Sequence, residues 1–283
     1  MTGVQAGALP IAGQGEGVRG VDVAGAKDSF PLPPSDVAQS VANVVKGSVL
    51  GHVVTSDWKD RKHIVDGKYN AHDVAVIFAH ASTALPMLEK AYHQAASDLD
   101  KLLYAHLLAV LGSPAGTETL RARVQAAKTF DDGWNFKGMA QYGRSLSELD
   151  QFIVALGCAR DAQAVEIIID KARLLDADKE FSHHRACALA LEFLADRRAA
   201  PALAEVLAKP GMSGYSATNL DEIARVVEKR SESLRELMLA RALFRCGDHQ
   251  GLGRQILERY ASDLRGPYAR HARAVLEQGD SSK

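Results

Sequence analysis

The stretch Leu107-Leu108-Ala109-Val110-Leu111-Gly112-Ser113-Pro114 decides the fold, because the chain repeats its pattern three more times. The pattern returns as Ala155-Leu156-Gly157 with Arg160-Asp161, and as Leu191-Glu192-Phe193-Leu194-Ala195-Asp196. It returns again as Ala242-Leu243-Phe244-Arg245-Cys246-Gly247-Asp248. Each time an apolar helical run ends at a Gly or Asp. A second run follows, with apolar residues three and four apart: Leu120 and Val124; Val165, Ile168 and Ile169; Leu203, Val206 and Leu207; Leu252, Ile256 and Leu257. A helix pair exposes an apolar stripe that it cannot bury alone, and stacking the next pair covers it. The expectation is an all-α fold, a HEAT-like α-solenoid of stacked antiparallel helix pairs. The Gly or Asp between helices is expected to end the first helix and cap the second.

Helices are expected over 71–80, 82–95, 98–111, 115–127, 147–157, 161–174, 182–195, 199–208, 219–229, 233–246, 249–261 and 267–277. Ser113, Asp161, Asp196 and Asp248 lie 48, 35 and 52 residues apart. HEAT-like pairs run about 40–47 residues. The two long spacings therefore contain insertions, which in solenoids gather on one face, often the binding face.

Composition fits this reading. Of 283 residues, 47% are hydrophobic and 24% charged, with only 6% aromatic, which favours helix over sheet. A net charge of -1 and a pI near 6.8 give no sign of nucleic-acid binding. No run approaches the roughly 20 apolar residues of a membrane-spanning helix. The N-terminus lacks the charged start and apolar core of a signal peptide, so the expected location is cytoplasmic. Cys158, Cys187 and Cys246 sit in apolar helical contexts and read as buried reduced thiols.

Three regions follow along the chain. Residues 1–34 are a flexible Gly/Pro-rich tail, with too few large apolar side chains to offset the entropy of ordering. Its Gly13-Gln14-Gly15-Glu16-Gly17 lacks the flanking strand and helix of a phosphate loop. Residues 35–70 hold a helix that Ser35-Asp36 would cap, then a β-rich stretch, Val49–Thr55, suited to a short hairpin or an irregular linker. Residues 71–278 form the repeat domain.

The first insertion runs Phe130-Asp131-Asp132-Gly133-Trp134-Asn135-Phe136-Lys137-Gly138-Met139-Ala140-Gln141-Tyr142-Gly143-Arg144-Ser145. Two readings stand: an interface built on aromatics and Arg, or a loop folded back to plug the helix stack. The second, Lys209–Thr218, is a docking loop or a solvated connector. The interface candidates are Trp134, Phe136, Lys137, Gln141, Tyr142, Arg144, His183, His184, Met212 and Tyr215.

No catalytic constellation emerges. His184 and Cys187 are three apart on one helix, but a zinc site needs three or four ligands and no second pair has matching spacing. Packing or capping is the expected role of His183 and His184. Asp131, Asp132 and Glu180 do not define an acid–base pair by sequence proximity. Neither a Gly-x-Ser-x-Gly elbow nor a Cys-x-x-Cys pair occurs. An enzyme site in the groove would need His183, His184 and Asp132 to converge.

Three longer stretches carry a resemblance: Trp134–Ser147; Phe181-Ser182-His183-His184-Arg185-Ala186 through Lys209-Pro210-Gly211-Met212-Ser213-Gly214; and Leu239–Asp248 through Asp263–Ala272. Together, over residues 75–277, they resemble the C-terminal helical-repeat region of large bacterial FAD-dependent oxidoreductases. In that family the flavin lies in an N-terminal dinucleotide-binding domain. Here no strand–Gly-x-Gly-x-x-Gly–helix unit precedes the repeats, so no flavin-contacting residue carries over. The resemblance implies a non-catalytic subunit or docking domain with no cofactor of its own, FAD residing on a partner flavoprotein. The alternative is an independent HEAT-like scaffold with no redox role. No nucleic-acid or membrane partner is expected.

Overall fold

The computed structural model describes residues 32–45, 71–133 and 146–280. These residues form thirteen α-helices and one 3-10 turn (Ala162–Ala164), with no strand among them. The expected tail over most of 1–34, the irregular or hairpin stretch and the insertion from Trp134 to Ser145 lie outside the described residues.

The helices are α1 (Pro34–Val44), α2 (Ala71–Ala79), α3 (Ala81–Gln94), α4 (Asp98–Val110), α5 (Thr117–Ala126), α6 (Glu148–Cys158) and α7 (Val165–Arg173). They continue as α8 (Phe181–Leu194), α9 (Ala199–Ala208), α10 (Leu220–Val226), α11 (Arg230–Arg245), α12 (Leu252–Ala261) and α13 (Gly266–Asp280). Each expected helix from residue 71 onward is present, with ends displaced by a few residues. Pro34 occupies the first position of α1, where a fixed φ and a missing N–H cost nothing. The cap expected from Ser35-Asp36 is therefore replaced by Pro33, and Asp36 lies in the first turn.

The repeated phrase has one structural meaning. Gly112, Arg160, Ala195 and Gly247 all adopt left-handed backbone, at φ of 84°, 52°, 48° and 94°. This conformation turns the chain back over the last turn of the helix. Three of these joints close with the same bond, from an N–H to the carbonyl five residues earlier: Ser113 to Leu108, Asp161 to Leu156 and Asp248 to Leu243. The next side chain then collects an N–H of the following segment. Ser113 Oγ accepts from Ala115, Asp161 Oδ1 from Gln163, Asp196 Oδ1 from Arg198 and Asp248 Oδ1 from Gly253. Asp248 Oδ2 also takes Arg254 N–H, and Gln250 and Gly251 are left-handed. That is why α12 begins at Leu252 and not at His249.

Alternate helices pack on one another. α4 lies on α6, α6 on α8 and α8 on α11, while α5 touches α7 and α7 touches α9. Between the rows, α5 meets α4 and α6, α7 meets α8 and α12 meets α11, and α13 lies against α12 and α11. The main core runs the length of these rows, from Leu103 through Phe152, Ile168, Leu191, Leu203 and Leu243 to Val275. Each such Leu or Ile gains about 1.5–3 kcal/mol from burial. A second, smaller core joins α1, α2, α3 and α4 through Val37, Val41, Ile77, Leu88 and Leu108. At the α6–α8 crossing a Cβ on Gly157 would stand 2.6 Å from the Ala190 Cα, so only glycine permits the approach.

Candidate interaction site

The root of the first insertion, Phe130–Gly133, rests on a buried charged cluster. Ser147 caps α6 and forms a reciprocal box with Asp150: Asp150 N–H donates to Ser147 Oγ, and Ser147 N–H donates to Asp150 Oδ2. Asp150 has no solvent exposure, and neither has His183 on the facing α8. His183 Nδ1 lies 2.8 Å from Asp150 Oδ1. Glu180 Oε2 stands 3.3 Å from His183 Nε2, an ion-pair approach without hydrogen-bond geometry. Phe130 stacks on the imidazole with centroids 4.3 Å apart. Gly133 packs so closely that a Cβ there would meet His183 Nε2 at 2.6 Å. Asp131 Oδ2 accepts Leu149 N–H at the start of α6.

Burial opposes charge on both members of the pair, and each offsets that cost for the other. The hydrogen bond and charge of Asp150, with Glu180 and Asp131 behind it, hold the His183 imidazolium above the usual histidine range. Burial likewise works against the Asp150 carboxylate, but His183 holds it below its usual value. The next residue behaves oppositely. His184 has its ring nitrogens against the carbonyls of Glu180 (3.0 Å) and Asp176 (2.8 Å). Burial, joined by the charge of Arg235, depresses it to about 4.

The second insertion is clamped by α11. Glu236 accepts Gly214 N–H at 2.8 Å, Tyr215 N–H at 2.7 Å and the Tyr260 hydroxyl at 2.8 Å. Arg235 donates to the carbonyls of Gly211 and Ala177. Arg265 donates to Ser233 Oγ, to the Tyr215 carbonyl and to Asp263, whose Oδ2 accepts Ala217 N–H. Lys209 Nζ donates to the carbonyls of Arg173 and Leu175 at the end of α7. The reading of Lys209–Thr218 as a solvated connector thus gives way to a loop held by buried polar groups.

A third cluster ties α8, α11 and α13. Glu192 accepts from Arg241 at 2.7 Å and pairs with Arg245, and Arg241 Nη1 approaches His271 Nε2 at 3.2 Å. Burial and the two guanidinium charges push His271 down to about 4.

These placements sort the candidate residues. Trp134, Phe136, Lys137, Gln141, Tyr142 and Arg144 lie outside the described residues. His183, His184 and Met212 are fully buried and present no surface for a partner. Their sequence context is polar or loop-like, but each side chain is enclosed by facing helices. Tyr215 is half-buried, its hydroxyl donating to the Gly211 carbonyl. His183 meets Asp150, not Asp132, which is exposed. Among the described residues no three His, Cys, Asp or Glu side chains are arranged to hold a metal. Cys187 and Cys246 are buried and Cys158 is half-buried; burial pushes the Cys158 thiol up to about 11 and Cys246 up to about 12. No described helix is long and apolar enough to cross a membrane.

Two outward features remain. A groove of about 480 Å³ between α3, α4 and α5 is lined by Tyr92, Lys101, Leu102, Thr119 and Arg123 with acidic Asp98 and Glu118. On α10, Leu220 is 77% exposed and the adjoining Val227 59%. Sequence reasoning missed Asp150, Glu192, Arg235 and Glu236. Asp150 carried a local signal, the Ser147-x-x-Asp150 capping pattern; the other three carry no local signal, because their partners lie on distant segments.

Neither a family model, nor a curated protein, nor a solved structure matches the chain.

Proposed function

We propose that this chain is a non-catalytic, HEAT-like α-solenoid module that docks on another protein, a flavoprotein being the partner its sequence resemblance points to. The observation that carries the reading is the recurrence of one joint. The same left-handed turn and N–H-collecting side chain separate successive helices, and alternate helices pack in rows. Repetition of this kind builds an extended surface rather than a closed pocket. The buried histidines, carboxylates and cysteines support it further, since their described partners pin loops and helices together. Two of the three stretches that resemble FAD-dependent oxidoreductases contain residues of these polar clusters, His183 and Gly211 in one and Arg241 and Asp263 in the other.

An independent scaffold without a redox role is the second reading. The outward Leu220 on α10 and Val227 just beyond it favour it, because apolar side chains so exposed suit a protein contact anywhere on the surface. A tagged pull-down from native cells, read for flavin absorbance and co-eluting chains, separates the two. A yellow complex with a second polypeptide supports docking on a flavoprotein. A colourless complex supports the scaffold. A chain that elutes alone at every salt concentration overturns both.

A further inference from the structure

We propose that His183 is a proton-operated anchor: as an imidazolium it ties Asp150 on α6 to Glu180 and to the Phe130–Gly133 root of the first insertion, and loss of its proton releases Glu180 and that root. The inference does not depend on the docking reading. Its basis is the convergence of two carboxylates and the Phe130–Gly133 root on one ring that water does not reach. Asp150 comes from α6 and Glu180 from the turn before α8, while Phe130 stacks on the ring and Gly133 packs against its Nε2. Among the described residues, the other charged or titratable groups around the cluster are His184 and Arg185 on α8, Cys187 one turn further along it, and Lys171 on α7. Arg185 acts on Asp150, and Lys171 donates to the Ala127 carbonyl at the foot of the same segment.

The ring has two nitrogens and the two protonation states use them differently. In the charged ring both carry protons. Nδ1–H donates to Asp150, and Nε2–H lies against Glu180. When one proton leaves, the bond to Asp150 keeps the other, because Asp150 is buried and has no route to solvent. Nε2 then turns a lone pair toward the Glu180 carboxylate 3.3 Å away. Attraction becomes repulsion. The Glu180 side chain is 38% exposed and can turn to water. Phe130 loses a cation and keeps only a neutral ring to stack on. Asp131, next to Phe130 in the same root, holds Leu149 N–H at 3.1 Å. The root of the insertion is thus tightened by a proton and loosened without it.

The sign follows from the direction of the shift. A histidine held above its ordinary value contributes stability that is complete below about 6.5 and is lost as pH rises through the folded value. The test is NMR of the full chain with isotope-labelled histidine, titrated from pH 5.5 to 10, for the wild type and Glu180→Gln. Both His183 nitrogens are expected to be protonated at pH 7. On deprotonation the Phe130 ring resonances shift and protection of the Leu149 amide from exchange falls about tenfold or more, after correction for intrinsic rates. In Glu180→Gln the His183 midpoint moves down. A neutral His183 ring at pH 7, a titration that leaves Phe130 and Leu149 unchanged, or a midpoint indifferent to Glu180→Gln overturns the proposal.

Discussion

The joint beneath the first insertion and the clamp over the second each centre on a carboxylate withdrawn from water, and they satisfy it by different means. Asp150 takes a backbone N–H and a histidine. Glu236 takes two backbone N–H groups and a tyrosine hydroxyl. Burying a carboxylate is costly unless donors saturate it, so both sites show the same necessity. The donors differ in whether they titrate near neutral pH. Backbone amides do not, and burial beside Glu236 raises the Tyr260 hydroxyl further above its ordinary 10.0. Histidine does titrate there. The second insertion is therefore held at any physiological pH, whereas the hold on the first carries a proton dependence.

The largest expected effect is at the clamp. Glu236→Ala strands three donors and should cost about 3–5 kcal/mol in urea unfolding. The loss should be nearly the same at pH 6.5 and pH 9, and a strong pH dependence would erase the contrast between the two regions. Asp150→Asn should cost about 2–3 kcal/mol at pH 6, because the amide oxygen still accepts but the imidazolium loses its counter-charge. That cost should shrink at pH 9, where His183 is losing its own charge.

Acid sharpens the comparison from the other side. His271 is held to about 4, so the unfolded chain binds a proton that the folded chain refuses between pH 6.5 and 4. Stability should fall as pH drops through that interval, read as a decreasing melting midpoint, and His271→Gln should flatten the fall. His183 and His184 are neighbours on one helix turn with opposite shifts. The difference lies in what faces them: carboxylates for His183, carbonyls and the Arg235 guanidinium for His184.

Two smaller changes probe the scaffold that supports both regions. Gly157→Ala forces apart α6 and α8, the helices that carry Asp150 and His183, and should cost about 1–3 kcal/mol with a weakened Asp150–His183 pair. Ala195→Gly relieves a left-handed alanine at an exposed joint and should stabilise by about 0.5 kcal/mol. Melting curves measure both, and a destabilised Ala195→Gly would argue against the strained joint.

The amino-acid sequence by itself determined the helices and their punctuation. Apolar spacing of three and four is a local property, and so is the turn residue that ends each run. That is why the expected helices from residue 71 onward recur with only shifted ends, and why Ser147 and Asp161 act as caps. At α12, where the start moved by three residues, the Asp248 side chain had gathered several N–H groups, which spacing does not encode. Tertiary structure alone decided which polar residues are inside. His183 and Asp150 are 33 positions apart, and Glu236 and Gly214 are 22 apart. A histidine or glutamate reads the same in sequence whether water or another helix covers it. Only the packing of α6 on α8, and of α11 over the second insertion, removes the water and sets the charge each side chain must hold.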